Sequence, residues 1–427
     1  MILTLYRGLT TIGAPLISLF LARRMARGKE DRLRFGERKG VAGIARPSGR
    51  VVWLHAASVG ESLSMLPVIE RIQARPGTTV LVTTGTVTSA QLMAERLPDG
   101  AIHQYVPVDR LPWVRRFLDH WRPDLALWAE SEFWPNLLIE SARRGVPLVL
   151  LNGRISDRSF AQWSRHAKLA ARLLDCFALC LGQTPADAER LRALGAARGA
   201  CRGNLKFAVP ALPADEALLA ALRADLAGRP CWLAASTHAG EELAVGRVHQ
   251  ALAARHPGLL TVIVPRHPPR GSVIAAELSG LGLEVAQRSA GQTVGRHTDV
   301  LLADTMGELG LFIRLAPLVF MGKSLIGHGG QNPLEPARLG AAVLFGPHMD
   351  NFADIADEMC KAGAAERVED EDGLARAVSA RLASPAVVAG FGAAARDFAT
   401  AQAGVLDAVL DELKPWLSAK DAVDEGA

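Results

Sequence analysis

Three ionisable residues in the first half of the chain have side chains suited to group-transfer chemistry. Glu61 and Glu130 each follow a short apolar run, VVWLHA and DLALWA, and Lys206 lies in the segment GNLKF. A carboxylate at such a place could take a proton from a hydroxyl group as a general base. A lysine or a hydrogen-bonded carboxyl could stabilise charge that develops in the transition state. The residue types alone do not decide which of the three has which role.

The second half of the chain carries residues suited to binding a nucleotide. They also follow apolar runs, and they form three groups: Pro265 and Arg266; Met306, Gly307 and Glu308; and Asn332, Pro333, Leu334 and Glu335. A helix that begins at such a place presents free N–H groups and a positive dipole to a phosphate. Arg266 could add a charge-assisted hydrogen bond, and the two glutamates could accept hydrogen bonds from a ribose or base.

The same residues also have a purely structural interpretation as helix caps. Ser58 with Glu61, and Thr305 with Glu308, fit the S-x-x-E capping box. The segment 332–335 fits an N-cap followed by a proline at the first helical position. Any one of these motifs is more often a cap than a ligand site. The prediction of a nucleotide site therefore depends on several such strand ends occurring in one half of the chain.

The elements that must position these residues alternate regularly along the chain. Short apolar runs are each followed by a longer amphipathic segment, and the runs predicted as strands are VVWLHA, TVLVTT, DLALWA, PLVLLN, FALCLG, CWLAAS, LLTVIVP, TDVLLAD, PLVFMG and AAVLFG. This alternation predicts two doubly wound α/β domains with parallel sheets, joined by a linker near 207–216. Ligands of such sheets bind at the carboxyl ends of the strands. We therefore expect the site in a cleft between the two domains.

Composition excludes several other classes of protein. The chain has 427 residues, of which 49% are hydrophobic and 22% charged, and it has five cysteines. These values exclude a disordered chain and a disulfide scaffold. Residues 1–50 carry eleven Lys and Arg against three Asp and Glu, whereas the whole chain is only +4. A nucleic-acid-binding protein would be basic elsewhere too, so no nucleic-acid partner is predicted.

The N-terminal residues predict a membrane anchor with a basic collar. Residues 8–22 carry no charge, and eight Lys and Arg follow between Arg23 and Lys39. Such a collar attracts anionic lipid headgroups by about 1 kcal/mol per residue and keeps the following chain on the cytoplasmic side. The uncharged run is shorter than the ~20 residues of a spanning helix, so spanning and interfacial placement both remain open. The alternative is a buried core helix with a solvated basic face. The predicted division is 1–46 (anchor and collar), 47–208 and 209–420.

Three further patterns do not predict a site. The segment 322–324, Gly-Lys-Ser, resembles the end of a phosphate-binding P-loop, but Pro317 stands where that motif needs a glycine. The Asp-x-Asp pattern at 370–372 precedes an amphipathic helix and fits a helix start. Cys176 and Cys180 have no partner pair at zinc spacing, and the histidines show no zinc motif. We therefore predict no structural or catalytic zinc.

Taken together and in order, the strand-end motifs resemble one family. ASVGE, AESEFWPNL, NGRIS, GNLKF, STHAGEE, VPRHP, DTMGELG, GGQNPLE and GPHMDNF are similar to those of the 3-deoxy-D-manno-octulosonic acid (Kdo) transferases of lipopolysaccharide biosynthesis. The resemblance implies the GT-B architecture of two Rossmann-like domains, CMP-Kdo as donor and lipid IVA as acceptor. It also implies a place at the cell inner membrane, with the catalytic domains facing the cytoplasm. The reaction of this family needs no bound metal.

The resemblance also implies roles for particular residues. Glu61 matches the general base, and Glu130 and Lys206 match groups that stabilise the transition state. The nucleotide would contact Pro265 and Arg266, Met306 to Glu308, and Asn332 to Glu335. Three positions depart from the family pattern: Lys323 replaces a glycine, Gln331 replaces a histidine, and Ala208 stands where aspartate is frequent.

Two other interpretations remain open at this stage. One is a GT-B enzyme of another donor class, such as a UDP-sugar transferase or a sugar-nucleotide epimerase. The other is a membrane-bound nucleotide- or lipid-binding protein without catalytic activity. The presence of Glu61, Glu130, Lys206 and Arg266 together favours an enzyme.

Overall fold

The computed structural model describes residues 2–130, 132–208, 211–327 and 329–418. By contact, these residues form two α/β units. Unit 1 takes in the described residues up to 208 together with 402–418, and unit 2 takes in those from 211 to 401.

Unit 1 is built on a parallel sheet of seven strands. In chain order they are β1 (Arg50–His55), β2 (Thr78–Thr84), β3 (Ile102–Tyr105), β4 (Leu125–Ala129), β5 (Leu148–Gly153), β6 (Phe177–Gly182) and β7 (Gly199–Cys201). Their spatial order is β3-β2-β1-β4-β5-β6-β7, so the sheet is doubly wound and its order reverses between β1 and β4. The helices of this unit are α1 (Ile2–Ile12), α2 (Ala14–Ala26), α3 (Val59–Gln73), α4 (Val87–Arg96), α5 (Leu111–Trp121), α6 (Pro135–Arg143), α7 (Asp157–Ser164), α8 (Ala167–Leu174), α9 (Pro185–Ala193) and α18 (Val405–Leu417).

The apolar runs form strands because both faces of this sheet are covered. Val51 and Trp53 of β1 belong to the core on one face, whereas Val52 and Leu54 belong to the core on the other. All four side chains are fully buried. A strand buried on both faces reads as a continuous apolar run rather than an alternating one, as the sequence predicted.

Unit 2 repeats the architecture with a second seven-stranded parallel sheet. Its strands are β8 (Cys231–Thr237), β9 (Leu260–Pro265), β10 (Val285–Gln287), β11 (Val300–Leu302), β12 (Leu318–Met321), β13 (Ala342–Phe345) and β14 (Ala365–Arg367). The spatial order β10-β11-β9-β8-β12-β13-β14 reverses between β8 and β12. The helices are α10 (Glu216–Leu226), α11 (Glu241–Ala253), α12 (Gly271–Gly280), α13 (Leu309–Leu315), α14 (Leu334–Arg338), α15 (Ala353–Lys361), α16 (Glu371–Leu382) and α17 (Pro385–Thr400). Two parallel-sheet α/β units therefore agree with the predicted fold class.

The last helix differs from the predicted division of the chain, which assigned residues 209–420 to the second domain. In the structure α18 packs on unit 1, where Val405, Val409 and Leu413 are buried in the core on one face of the sheet. Its start is fixed there as well, because the side chain of Gln402 accepts a hydrogen bond from the N–H of Asn204 (2.9 Å). The helix follows unit 2 in the chain but packs on the sheet of unit 1, so no local sequence pattern shows to which unit it belongs.

The N-terminal apolar run forms two short helices instead of one anchor helix. Helix α1 ends at Ile12 and α2 begins at Ala14, with Pro15 in its first turn. Proline lacks the N–H that a continuous helix would use, which accounts for the break here. Within the described residues, no single helix is both long and apolar enough to cross a membrane, although one bent pair, Glu371–Leu382 with Pro385–Leu417, passes on length and composition alone.

Helix α1 is fixed to unit 1 by polar contacts. The Tyr6 hydroxyl donates to Asp109 (2.8 Å), and the Arg7 guanidinium donates to Asn136 (3.0 Å) and to Glu140 (3.0 Å). The carboxylate of Glu140 is almost fully buried and receives three further arginines, namely Arg115, Arg143 and Arg144. Arg7 therefore forms part of a buried-carboxylate cluster.

Candidate functional site

The two candidate glutamates of unit 1 follow the strands at which the sheet order reverses. Glu61 lies in the first turn of α3, which follows β1, and Glu130 directly follows β4. Since β1 and β4 are hydrogen-bonded neighbours, their carboxyl ends open at the same point of the sheet. Ligands of doubly wound sheets bind at this reversal point. Both residues therefore follow the ends of neighbouring strands, as the sequence predicted.

Glu61 is part of the N-terminal cap of α3, as the S-x-x-E spacing predicted. Ser58 caps the helix by accepting from the N–H of Glu61 (3.3 Å). In return the Glu61 carboxylate accepts from the Ala57 N–H (2.8 Å) and from the Ser58 hydroxyl (2.8 Å). Capping and chemistry are thus compatible here, because the same contacts fix the orientation of the carboxyl group.

The surroundings of Glu61 favour its protonated form. Its side chain is buried, and this burial, together with the negative charges of Glu130 and Glu132, raises the pKa of Glu61 to about 7. The two hydrogen bonds from Ala57 and Ser58 oppose the shift without cancelling it. A carboxyl group with a pKa near neutrality can both accept and release a proton at physiological pH, as a general base must.

Glu130 and Lys206 form an ion pair. The Lys206 Nζ lies 3.6 Å from the Glu130 Oε1, and both side chains are largely buried. Glu130 adopts a left-handed backbone conformation, with φ of 53°, which is uncommon outside glycine. The Gln183 side chain is also 3.4 Å from the Glu130 Oε1. A strained backbone such as that of Glu130 persists only where the surrounding contacts hold it in place, and such residues are frequent at functional sites.

Lys206 is positioned by a turn that two asparagine side chains hold. It lies in the 3₁₀ turn Leu205–Ala208. The side-chain oxygen of Asn204 accepts from the Lys206 N–H (3.0 Å), and the side-chain oxygen of Asn152, at the end of β5, accepts from the Leu205 N–H (2.9 Å). Gly203 has a φ of 98° and approaches α18 so closely that a Cβ would lie 2.5 Å from Val405. The backbone around Lys206 is therefore held both by the two asparagine side chains and by the close approach of Gly203 to α18.

In unit 2 the reversal point between β8 and β12 is organised by Glu241. This glutamate is fully buried in the first turn of α11. It accepts hydrogen bonds from four backbone N–H groups, which belong to His238 (3.0 Å), Lys323 (2.6 Å), Ser324 (3.0 Å) and Leu325 (3.0 Å). One carboxylate therefore shapes the loops that follow both strands.

The second group of candidates, Met306 to Glu308, forms a turn before α13. Met306 is 71% exposed, and Gly307 has a φ of 83°, a conformation that favours glycine. The Glu308 carboxylate accepts from Thr305 and forms a bidentate ion pair with Arg288, with the Arg288 Nε 2.7 Å from its Oε2. Arg288 and the other bonds hold the pKa of Glu308 below its ordinary value. The carboxylate is thus engaged by Arg288 rather than by the helix N-terminus that the capping-box interpretation predicted.

The other two groups of candidates also lie at strand ends. Arg266 directly follows β9, where its N–H donates to the Thr237 carbonyl (2.9 Å), and its side chain is exposed. Helix α14 begins at Leu334, one residue later than the predicted N-cap implies, and the Asn332 side chain accepts from the Leu334 N–H (3.1 Å). Glu335 lies in its first turn. The Asn332 side chain therefore contacts the start of the helix, but Pro333 occupies the N-cap position, so the predicted N-cap at Asn332 is displaced by one residue.

Several functional features of the site carried no recognisable signal in the sequence. Arg288 lies after a strand of only three residues, and Gln183 and Asn152 act through contacts with distant segments. Glu241 belongs to the motif STHAGEE, but its burial and its four N–H partners depend on the loop after β12. Within the described residues, no group of three or more His, Cys, Asp and Glu side chains is arranged to hold a metal ion.

Comparison with known sequences identifies close relatives. Residues 31–209 match the family model described as 3-deoxy-D-manno-octulosonic-acid transferase (kdotransferase). The chain is 34% identical over 425 residues to the 3-deoxy-D-manno-octulosonic acid transferase of Haemophilus influenzae, covering 96% of this chain and 98% of that protein. It is 36% identical over 428 residues to the enzyme of the same name from Bordetella pertussis, covering 96% and 99%.

Comparison with solved structures concerns the fold. The crystal structure of Acinetobacter baumannii MurG aligns with a TM-score of 0.55 and 12% sequence identity, covering 85% of this chain and 99% of that one. At this identity the likeness shows the fold alone, which is of the GT-B type that the motifs implied. Both units have counterparts in that architecture.

Proposed function

The chain belongs to the 3-deoxy-D-manno-octulosonic acid transferase family, and we propose that this glycosyltransferase moves Kdo from CMP-Kdo to lipid IVA, with Glu61 as the general base. Lipid IVA is the tetra-acylated, bisphosphorylated glucosamine disaccharide of lipopolysaccharide biosynthesis. The observation that carries the proposal is the buried Glu61 carboxyl, whose pKa is raised to about 7 where β1 meets β4.

In the proposed reaction Glu61 takes the proton from the 6′-hydroxyl of the distal glucosamine. The oxygen then forms a bond to the anomeric carbon of Kdo as the bond from that carbon to the CMP phosphate breaks. A single displacement inverts the anomeric configuration. Lys206 and Glu130 stabilise the charge that develops, and the Lys206 Nζ is already held 3.6 Å from Glu130 in a largely buried pair.

Unit 2 supplies the proposed donor site. The segments that follow β9 and β11 contain Arg266 and Glu308, and the first turn of α14 contains Glu335. The guanidinium of Arg266 is exposed, so it is accessible to a phosphate oxygen. The Met306 side chain, also exposed, could pack on the base. No metal and no cofactor is assigned to the reaction; CMP-Kdo is a substrate.

We propose further that α1 and α2 attach the protein to the cytoplasmic face of the inner membrane. Support comes from their exposed apolar side chains, which include Leu16 at 72% exposure and Phe20 at 60%. Exposed basic residues follow directly, among them Arg23, Arg27 and Lys29. An exposed apolar face beside clustered positive charge is the pattern of a segment that lies in an anionic membrane interface.

The test is a direct transfer assay. Detergent-purified protein is mixed with lipid IVA and freshly generated CMP-Kdo, and the lipid product is weighed by mass spectrometry. We expect a mass gain of a whole number of Kdo units, inhibited by CMP and not by UDP. No gain from a folded protein, beside an active control enzyme, would contradict the proposed substrates.

The Glu61→Gln variant tests the assignment of the base within the same assay. The amide keeps the size of the side chain and can still accept the Ala57 N–H bond, so the fold should persist. Loss of general-base catalysis typically lowers turnover about 10²- to 10⁴-fold. Full turnover by a folded Glu61→Gln protein would show that another group removes the proton.

A further inference from the structure

The side chain of Lys323, in unit 2, has no role in the site described so far. Lys323 directly follows Gly322 in the loop after β12. This is the strand at which the sheet order of unit 2 reverses, beside β8. The two strand ends touch: a Cβ at Gly322 would lie 2.6 Å from both the Ser236 carbonyl oxygen and the Thr237 Cα. Lys323 therefore stands at the reversal point, where doubly wound sheets bind their ligands.

The backbone of Lys323 is fixed in a conformation that favours glycine. Its φ is 57°, in the left-handed region. The Lys323 N–H donates to the buried Glu241 carboxylate (2.6 Å), and the Lys323 carbonyl accepts from the Gly330 N–H (2.8 Å). Glycine would adopt this backbone without strain, so the lysine is present at a conformational cost. Strain of this kind is frequent at functional sites.

The Lys323 side chain lies beside Gly329. A Cβ at Gly329 would lie 3.2 Å from the Lys323 Cε and 3.3 Å from its Nζ. Gly329 has a φ of 129°, a conformation that favours glycine, and as a glycine it has no side chain to obstruct the lysine. Gly329 thus leaves room for the Lys323 side chain beside its backbone, and this side chain is half-buried.

The positive charge of Lys323 acts on His238, which lies in the loop after β8. Burial, followed by the charge of Lys323, lowers the pKa of His238 to about 4; Glu241 opposes this shift, and His267 and Arg266 add smaller contributions to it. His238 is therefore neutral at physiological pH, and its Nε2 is 3.1 Å from the Gln331 side-chain nitrogen. The nearby carboxylate of Glu241 already accepts four N–H groups.

We propose that Lys323 is a donor-binding residue whose ammonium contacts an anionic oxygen of the nucleotide sugar. This inference rests on the proposed function, since it requires the donor to bind at the reversal point of unit 2. The anionic oxygen belongs either to the phosphate of CMP or to the carboxylate of Kdo. Both accept a charge-assisted hydrogen bond from a lysine.

The experiment compares Lys323→Asn, Lys323→Gly and Lys323→Arg with wild type. Asparagine and glycine both tolerate a left-handed backbone, so these variants should fold, whereas arginine keeps the positive charge. Lys361→Asn removes the same charge from an exposed position at the end of α15 and serves as the control. The dissociation constant of CMP is measured by calorimetry, the KM for CMP-Kdo by the transfer assay, and the midpoint of thermal unfolding by circular dichroism.

We expect Lys323→Asn and Lys323→Gly to weaken donor binding by about 10- to 100-fold, the range of a hydrogen bond to a charged group. A weaker affinity for CMP assigns the contact to the phosphate; a raised KM for CMP-Kdo with unchanged CMP affinity assigns it to the sugar carboxylate. Lys323→Arg should retain most of the affinity, and Lys361→Asn all of it. Unchanged binding and KM in Lys323→Asn, with or without a lower midpoint of unfolding, would overturn the inference. In that case wild-type transfer activity still supports the proposed function, whereas a wild type that binds no CMP overturns both.

Discussion

The negative charge of Glu130 helps to keep a proton on Glu61. The two residues follow neighbouring strands of unit 1, and Glu130 is the largest cause of the raised Glu61 pKa after burial itself. Glu130 is in turn paired with Lys206, which lies 3.6 Å away. Removal of the Glu130 charge should therefore alter both the protonation of Glu61 and the position of Lys206.

The Glu130→Gln variant should shift the pH profile of the enzyme. Wild-type kcat/KM should rise with pH through about 7, because only the ionised form of Glu61 accepts a proton and its pKa is about 7. Loss of the neighbouring negative charge favours ionisation, so the rising limb should move to lower pH. The maximum rate should also fall, on the order of 10²-fold, because Lys206 loses the carboxylate that positions it.

Glu132→Gln is the matched control for this shift. Glu132 also raises the pKa of Glu61, but it makes the smallest of the contributions. Its variant should move the rising limb less than Glu130→Gln does. A rising limb that stays in place in Glu130→Gln would show that Glu61 is not the group that titrates in the profile.

The ion pair between Arg288 and Glu308 should matter for donor affinity. We expect Arg288→Gln to raise the KM for CMP-Kdo roughly 5- to 10-fold, about 1 kcal/mol, because Glu308 would lose the bidentate partner that orients it. The kcat should change little if the pair acts only on binding. Steady-state kinetics with varied donor separate the two parameters.

A second bidentate pair in the same unit provides the control. Arg247 binds Glu371 with the same geometry, but both side chains are more exposed and neither follows a predicted ligand-binding strand. Arg247→Gln should leave the KM for CMP-Kdo unchanged. Equal effects of the two substitutions would mean that Arg288 acts only through the general stability of unit 2.

The central strands and their site residues could be predicted because burial on both faces leaves a strong pattern. VVWLHA and DLALWA correspond to β1 and β4, and Glu61 and Glu130 follow them as expected. The short strands β3, β7, β10 and β14 were missed. They have three or four residues, and polar or small side chains such as those of IHQY and AER interrupt any apolar run.

The contacts between distant segments could not be predicted, because they depend on tertiary structure. The pairing of Lys206 with Glu130 joins residues from two separate segments of unit 1. The same holds for Glu241, whose four N–H partners come from the loops after β8 and β12. A cap can be recognised from neighbouring residues, whereas these partners are brought together only by the sheet order.

The carboxylate of Glu140 should contribute to the attachment of α1. Its side chain is only 4% exposed and pairs with Arg7 of α1 as well as with three other arginines. We expect Glu140→Gln to lower the free energy of unfolding by about 1–3 kcal/mol, because the arginines would lose their common partner while remaining partly solvated. Urea denaturation measures the change, and limited proteolysis should show earlier cleavage in α1.

This contribution should depend on pH in a defined direction. The surrounding arginines hold the pKa of Glu140 below its ordinary value. The stabilisation is therefore complete above the ordinary pKa of a glutamate and is lost as the pH falls through the lowered value. The difference between wild type and Glu140→Gln should vanish in acid. Asp407→Asn, which breaks an exposed pair with Arg71, should change stability little at any pH.

The exposed apolar side chains of α2 should determine membrane binding. Replacing both Leu16 and Phe20, which are 72% and 60% exposed, by serine removes apolar surface that would enter the interface. Complete burial of one such side chain is worth about 1.5–3 kcal/mol, so partial burial of two should change the partition coefficient roughly 10- to 100-fold. Flotation with vesicles that contain anionic lipid measures the bound fraction.

Val273→Ser distinguishes membrane binding by α2 from nonspecific binding through any exposed apolar side chain. Val273 is 57% exposed, but it lies on α12 of unit 2, away from the N-terminal helices in the chain. Its replacement should leave flotation unchanged. Binding by wild type should also weaken on vesicles of neutral lipid, because Arg23, Arg27 and Lys29 would lose their electrostatic partners. Equal flotation of Leu16→Ser/Phe20→Ser and wild type on both vesicle types would mean that α2 is not the membrane contact.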